Sequence, residues 1–246
     1  TETVSNPMIS VPDLEAVSCI AHEQGALFIV DNTFMTSVGI TPLTHGADIV
    51  VNSLTKFANG HSDAVCGAVT GKAELIKKMY HYQVLLGCTA DAFTSWMVQR
   101  GMRTMQLRVE KQMENAAKLA AALEQNPYVK KVFHPSLESH AQHELAIKEF
   151  GDASHCGGML SIYLDDDAEK LNAFIRSLNL AHYALTLGGY RTTIAHPVSS
   201  SHYDTPEEER RKMGITHGMI RISTGIENAE DLIADFTDAL EHVYGK

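Results

Sequence analysis

The sequence predicts an α/β protein with a mainly parallel sheet, followed by a C-terminal α+β domain. Three observations predict it. Apolar runs alternate with helical patterns over roughly the first eighty residues, as βαβ units require. Two of the runs end in polar residues that bear chemistry, Asp31 and the segment Ser53 to Lys56, and ligands of such sheets bind outside the carboxyl ends of the strands. Beyond Asn126-Pro127 the texture changes to short strands interleaved with helices.

The elements follow in order. Residues 10–25 read as a helix, with Pro12 in its first turn, Leu14, Val17 and Ile20 on one face, and Gly25 closing it. Residues 26–30 form a buried strand that ends at Asp31-Asn32-Thr33. Residues 48–54 repeat that design, Ile49, Val50 and Val51 leading to Ser53, Thr55 and Lys56. A third apolar strand covers 64–71, and 72–84 return to helix. Residues 91–124 form one long helical pattern, with Met97, Met102, Met105 and Met113 as core. Strands are then expected at 129–133, 159–164 and 219–223, helices at 141–150, 168–178 and 229–243, and a charged turn-and-helix insert at 206–212. The domain division is placed inside the long helix, with 1–107 as part of a ligand-binding domain and 108–246 as the α+β domain.

Lys plus Arg is 20 and Asp plus Glu is 30, a net charge of −10. A chain so acidic, without a basic run, repels nucleic acid and anionic membrane. No apolar run is long enough to span a bilayer. The four cysteines show no C-x-x-C spacing, and three lie in or beside apolar stretches, where Cys acts as a small hydrophobe. A disulfide framework is not expected, and a cytoplasmic setting is. The 13 histidines include no set with the spacing of a metal site. The polar start carries neither a signal peptide nor an initiator Met, so the chain begins after processing or as a fragment.

Lys56 is the sharpest feature. A lysine just past a buried strand, flanked by hydroxyls and followed by Gly60, can form a Schiff base with an aldehyde cofactor, and desolvation would lower its pKa. Alone it reads better as a surface lysine closing a strand. Asp31 changes the balance. A carboxylate at the end of a buried strand needs a partner, and the pyridinium nitrogen of pyridoxal phosphate (PLP) is one. An Asp in that role together with a Schiff-base Lys is the recognised PLP arrangement.

The chain resembles the Cys/Met-metabolism family of PLP enzymes. The resemblance runs nearly end to end: Glu2-Thr3-x-Ser5-Asn6-Pro7, Val30-Asp31-Asn32-Thr33-Phe34, Ser53-x-Thr55-Lys56, Gly60-His61-Ser62-Asp63, Arg100-Gly101-Met102, Leu187-Gly188-Gly189, His196-Pro197 and Ile220-Arg221-Ile222-Ser223-x-Gly225-Ile226-Glu227. It implies the PLP-dependent transferase fold (aspartate aminotransferase-like, fold type I) and a role for each matching position. Lys56 would bond the cofactor and shuttle protons. Asp31 would pair with the ring nitrogen, Asn6 and Thr33 would lie near the ring, and Ser53 and Thr55 would hold the phosphate. Arg221 would bind the substrate carboxylate in a bidentate fork. Thr186 stands where the family usually has serine, and would contact the same carboxylate. Arg191 stands where an acidic residue is common; it would select an acidic side chain on the substrate, or be a surface arginine. The family's N-terminal stretch, with a glycine-rich phosphate loop, a stacking tyrosine and a Tyr/Arg pair lent to a neighbour, has no counterpart here.

The expected function is that of a PLP-dependent lyase catalysing β- or γ-elimination on an amino acid such as cystathionine or methionine. The alternative is a γ-replacing transferase of the cystathionine γ-synthase or O-acetylhomoserine sulfhydrylase type. A non-catalytic fragment or partner subunit is the reading from another class. A homotetramer acting on a small amino acid is expected, completed by the N-terminal segment.

Overall fold

The computed structural model describes residues 1–245. Its N-terminal part runs α1 (Leu14–Glu23), β1 (Ile29–Asp31), α2 (Thr36–Gly39), β2 (Ile49–Ser53), β3 (Gly67–Gly71), α3 (Ala73–Leu86), α4 (Ala92–Met102) and α5 (Met105–Glu124). β1 and β2 are parallel, with Ile29 opposite Ile49 and Asp31 opposite Val51. β3 returns antiparallel, with Ser53 opposite Gly67. This sheet is therefore mixed, where a mainly parallel one was expected. The cause is local. The Thr55 amide donates to the Cys66 carbonyl at 3.2 Å, folding 54–66 straight back on β2, and an antiparallel return needs no crossover helix.

Side-chain caps account for the shifted boundaries. Asp13 accepts the Ala16 N–H at 2.9 Å, so α1 starts at Leu14 and Pro12 lies ahead of the cap rather than in the first turn. The Phe28 N–H goes to the buried Asp48 carboxylate at 2.9 Å, and β1 begins only after it. That amide, then His22, holds the Asp48 carboxyl down at about 2. The expected helix 91–124 is two helices. Gly101 is pressed against the Lys56 loop, where a Cβ would lie 2.5 Å from the Asn59 carbonyl oxygen. The Thr104 hydroxyl donates to the Gly101 carbonyl at 3.2 Å, and the axis restarts there. The methionines divide accordingly: Met113 is buried, Met97 and Met105 are half-buried, and Met102 is exposed.

The C-terminal part runs β4 (Lys131–Phe133), α6 (His143–Phe150), β5 (Met159–Tyr163), α7 (Ala168–Ser177), β6 (His182–Tyr183), β7 (Thr193–Ala195), α8 (Glu207–Lys212), β8 (Met219–Ser223) and α9 (Ala229–Tyr244). The strands form one sheet in the order β4-β5-β8-β7-β6. β6 and β7 were not expected; at two and three residues they are too short to show an alternation. Two apolar cores result, and α5 seats both, with Val109 and Met113 in one and Ala116, Leu119, Ala120 and Leu123 in the other.

The surface holds two departures. α3 contributes no buried residue, and its Tyr80, Tyr82, Val84, Leu85 and Leu86 are between 59% and 74% exposed. Of the cysteines only Cys156 is buried; Cys19 and Cys88 are exposed, against their expected place in apolar packing, and all four are free. Among the described residues no helix is long and apolar enough to cross a membrane. Nor is any group of three His, Cys, Asp or Glu side chains placed to hold a metal ion.

His134, fully buried, joins β4 to the Gly157 turn. Its Nε2 pairs with the Gly157 carbonyl at 3.2 Å and its Nδ1 with the Ser136 hydroxyl at 2.6 Å. Burial pushes its pKa down to about 4. The unfolded chain takes up the proton first, so the stability this neutral ring supports is present above about pH 6.5 and is lost as pH falls through 4. Urea unfolding between pH 7 and pH 4 is expected to show that loss. His134→Gln is expected to flatten it and to cost about 2 kcal/mol at pH 7.

Candidate active site

The site is built at the carboxyl ends of β1 and β2. Asp31 is the last residue of β1, and its Oδ1 accepts the Thr33 N–H at 2.8 Å, turning the chain with the carboxylate held at the strand end. The Thr33 hydroxyl oxygen accepts the Ser53 N–H at 2.8 Å and so ties the two strand ends together. Lys56 begins the next turn. Its N–H donates to the Ser53 carbonyl at 3.2 Å, and its own carbonyl accepts the Gly60 N–H at 2.7 Å. Gly60 closes the turn at φ +70°, where the Arg108 guanidinium leaves no space for a side chain.

Lys56 is half-buried and makes no ion pair among the described residues. Desolvation lowers the pKa of its amine, and the positive charge of Arg221 lowers it further. Asp31, Thr33, Ser53 and Lys56 line one cleft of about 150 Å³, walled by Phe34 and Leu187. Larger clefts lie beside it, one of about 450 Å³ against Trp96 and Arg100, another of about 600 Å³ against Leu107 and Tyr190; Lys56 lines neither.

Arg221 lies in the middle of β8 and is only 4% exposed. Its Nη2 donates to the carbonyls of Leu185 and Thr186 at 3.3 and 3.1 Å, while its Nε is buried without a partner. Burial brings its pKa down to about 10, which leaves it charged at neutral pH. The strand that carries it is covered by the Leu187-Gly188-Gly189 turn. The Gly188 N–H donates to the Ser223 hydroxyl at 2.8 Å, and a Cβ on Gly188 would lie 2.5 Å from the Phe57 nitrogen.

The other expected residues are placed as follows. Asn6 donates its N–H to Glu2 Oε2 at 3.3 Å, and its own Oδ1 is buried with no partner. The Thr55 hydroxyl does not line the cleft; it accepts the Cys66 N–H at 3.0 Å and donates back to the Cys66 carbonyl. Thr186 meets Arg221 through its main-chain carbonyl. Arg191 is exposed, its guanidinium 5.3 Å from the Tyr190 ring centroid, and does not line the cleft. Four lining residues had been given no role: Val4 and Phe34, which are apolar walls, and Glu2 and Leu187. Glu2 sits beside Asp31 through the bridge that pairs the two positions, and Leu187 hangs over the cleft. The four-residue spacing of Glu2 and Asn6 was the available signal for Glu2; nothing local marked Leu187.

A lysine in the turn after one strand and an aspartate at the end of its neighbour, lining one cleft in an α/β sheet, are the residue types that a PLP-type enzyme site requires. The family model for Cys/Met metabolism PLP-dependent enzymes matches residues 1–241, and the chain belongs to that family. It is 42% identical over 241 residues to a cystathionine beta-lyase of Lactococcus lactis, covering 98% of this chain and 62% of the relative. It is 37% identical to the chloroplastic cystathionine gamma-synthase 1 of Arabidopsis thaliana, of which it spans 43%. Among solved structures it superposes on the cystathionine gamma synthase of Xanthomonas oryzae pv. oryzae with TM-score 0.95 at 38% identity, covering 99% of this chain and 62% of that one. The chain thus spans about three fifths or less of the length of these relatives.

The residues present fit PLP. The amine of Lys56 is unpaired, Asp31 offers a carboxylate at the far strand end, and Ser53 presents a hydroxyl to the same cleft. Asn6, whose Oδ1 is buried without a partner, does not line that cleft. Because a Cβ on Gly188 would strike the Phe57 nitrogen, Gly188→Ala is expected to push the Lys56 turn itself out of place and to weaken PLP binding at least tenfold, read by absorbance titration.

Proposed function

We propose that the protein carrying this chain is a PLP-dependent lyase that eliminates the β- or γ-substituent of a sulfur-containing amino acid such as cystathionine or methionine. The observation that carries the reading is the shared cleft of Lys56 and Asp31, with the charge of the buried Arg221 acting on the lysine. A γ-replacing transferase is the second reading, favoured by the 38% identity to a cystathionine gamma synthase structure.

Each residue has a task that follows from its surroundings. The lowered pKa of Lys56 enlarges the neutral fraction of its amine, which would anchor an aldehyde cofactor and hold or move the α-proton of a bound amino acid. The Asp31 carboxylate would keep a pyridine nitrogen protonated. Ser53 would hold the phosphate, and Thr33 and Asn6 would contact the ring. The free Nε of Arg221 and its charged fork receive the α-carboxylate, with Thr186 beside it. Phe34 and Leu187 keep water from the reacting side. PLP, when bound, supplies the electron sink for the charge left at the α-carbon. Arg191 belongs to the proposal as the residue that selects among substrate side chains, and Thr55 as a phosphate ligand once its hydroxyl turns from Cys66.

The working protein is taken as a cytoplasmic homotetramer. The exposed apolar residues of α3 support assembly, and four free cysteines support a reducing compartment. Sedimentation showing a monomer overturns that part.

The full-length protein with PLP is expected to show a visible absorption band that borohydride bleaches while fixing the cofactor on Lys56. Lys56→Ala abolishes the band. A folded protein with no band rules out the enzyme reading. Arg221→Lys is expected to raise the KM for amino acid about tenfold or more, because the bidentate fork is lost. Ammonia and a keto acid as products mark elimination, and a new thioether formed from an added thiol marks replacement. Arg191→Glu is expected to change the ranking of amino acid substrates; an unchanged ranking removes Arg191 from specificity.

A further inference from the structure

α5 carries three buried polar side chains on one face, Arg108, Gln112 and Asn115, spaced as successive turns require. Polar residues in a helix face that seats two apolar cores need partners, and their donors all reach the loops around the site. Arg108 donates from Nη1 to the Phe57 carbonyl at 2.9 Å and from Nη2 to the Ala58 carbonyl at 3.0 Å, gripping the turn that starts at Lys56. It also reaches the Gly101 carbonyl at 3.0 Å. Gln112 donates from Nε2 to the Gly189 carbonyl at 2.7 Å and the Thr224 carbonyl at 3.0 Å. The first belongs to the turn lying on Phe57, the second to the residue that follows β8. Asn115 donates to the carbonyls of Gly225 and Glu227 at 3.0 and 2.8 Å, one step further along the same segment.

We propose that this face of α5 sets the spacing between Lys56 and Arg221, with Arg108 positioning the lysine and Gln112 positioning the arginine. The inference rests on the PLP reading of the site. One rigid helix touches both loops, so it fixes the distance between the point where a cofactor is bonded and the point where a carboxylate is held. The two contacts are separable. Arg108 donates to the lysine turn, to Gly101 and, from Nε, to the Thr104 hydroxyl at the start of its own helix, and to nothing in the Gly189 turn; the Gln112 amide donates to the Gly189 turn and the end of the Arg221 strand, and to nothing in the lysine turn. The Ser223 hydroxyl, accepting the Gly188 N–H, reinforces the second contact alone. Arg108 and Gln112 therefore act through other residues, as positioning residues.

The experiment uses the full-length protein loaded with PLP and three variants. Arg108→Lys keeps the charge and loses the fork, Gln112→Met keeps the volume and loses the donor, and Ser223→Ala removes one hydroxyl. Two constants are read beside the melting temperature: the Kd for PLP, and the concentration of glycine that half-shifts the bound cofactor band. Arg108→Lys is expected to weaken PLP about tenfold with the glycine constant held within twofold. Gln112→Met is expected to raise the glycine constant about tenfold with the PLP Kd held. Ser223→Ala is expected to do the same to a smaller degree, about threefold, and carries the prediction if Gln112→Met does not fold. Both constants moving together in step with melting temperature, or neither moving in folded variants, overturns the proposal. A wild-type protein that gives no band with PLP overturns the proposed function itself; a normal wild-type band with unsplit variants overturns only this inference.

Discussion

A lysine amine kept half-buried near a buried guanidinium, with no ion pair among the described residues, is the constraint around which the site is arranged. Two like charges in a region of reduced solvation raise each other's cost. A carboxylate paired with Lys56 would relieve that cost, but it would also hold the amine protonated. The fold leaves the amine unpaired and steadies the arginine with main-chain carbonyls instead. Leu185 and Thr186 supply them through one nitrogen of the fork, so the buried Nε keeps no protein partner. The carboxylates of Asp31 and Glu2 line the same cleft as the lysine, so both signs of charge face it.

That arrangement depends on backbone contacts tighter than side chains allow. The turn after Lys56 closes at Gly60, against the Arg108 guanidinium. The Gly188 turn lies on the Phe57 nitrogen, and Gly101 lies on the Asn59 carbonyl. One glycine thus closes the five-residue turn and two more, from distant segments, press against it. Each brings a main chain within reach of a hydrogen-bond donor, and packing at this density leaves no slack for a displaced lysine.

The two apolar cores meet this polar layer along α5. Its apolar side chains secure the helix in both halves of the molecule, and its buried Arg, Gln and Asn side chains use that fixed axis. The same helix illustrates a limit of pattern reading. Met97, Met102, Met105 and Met113 lie at helical intervals across 91–124, yet the axis breaks at Arg103–Thr104 and the four divide between buried, half-buried and exposed. Periodicity reports a face only while the axis is continuous, and the break is imposed by Gly101 meeting a loop forty residues earlier in the chain.

The amino-acid sequence by itself determined which strands lead into polar residues that can bear chemistry. Asp31 closes β1 and Lys56 follows β2 by three residues, as the apolar runs and turn residues indicate, although Ile29 of β1 is exposed where a buried strand was expected. Arg221 inside an apolar run is legible for the same reason, as is its burial. The extended motifs from Glu2 to Glu227 named the family that the match to residues 1–241 establishes. Only the tertiary structure decided which hydroxyls face the cleft. Ser53 does, while Thr55, two residues on, is committed to Cys66 because β3 folds back antiparallel beside it. It alone separated the Thr186 carbonyl from the Thr186 side chain as the partner of Arg221, and revealed the reach of Arg108 and Gln112 across 51 and 112 residues of chain. Those choices rest on contacts between segments remote in sequence, where no local period or spacing carries information.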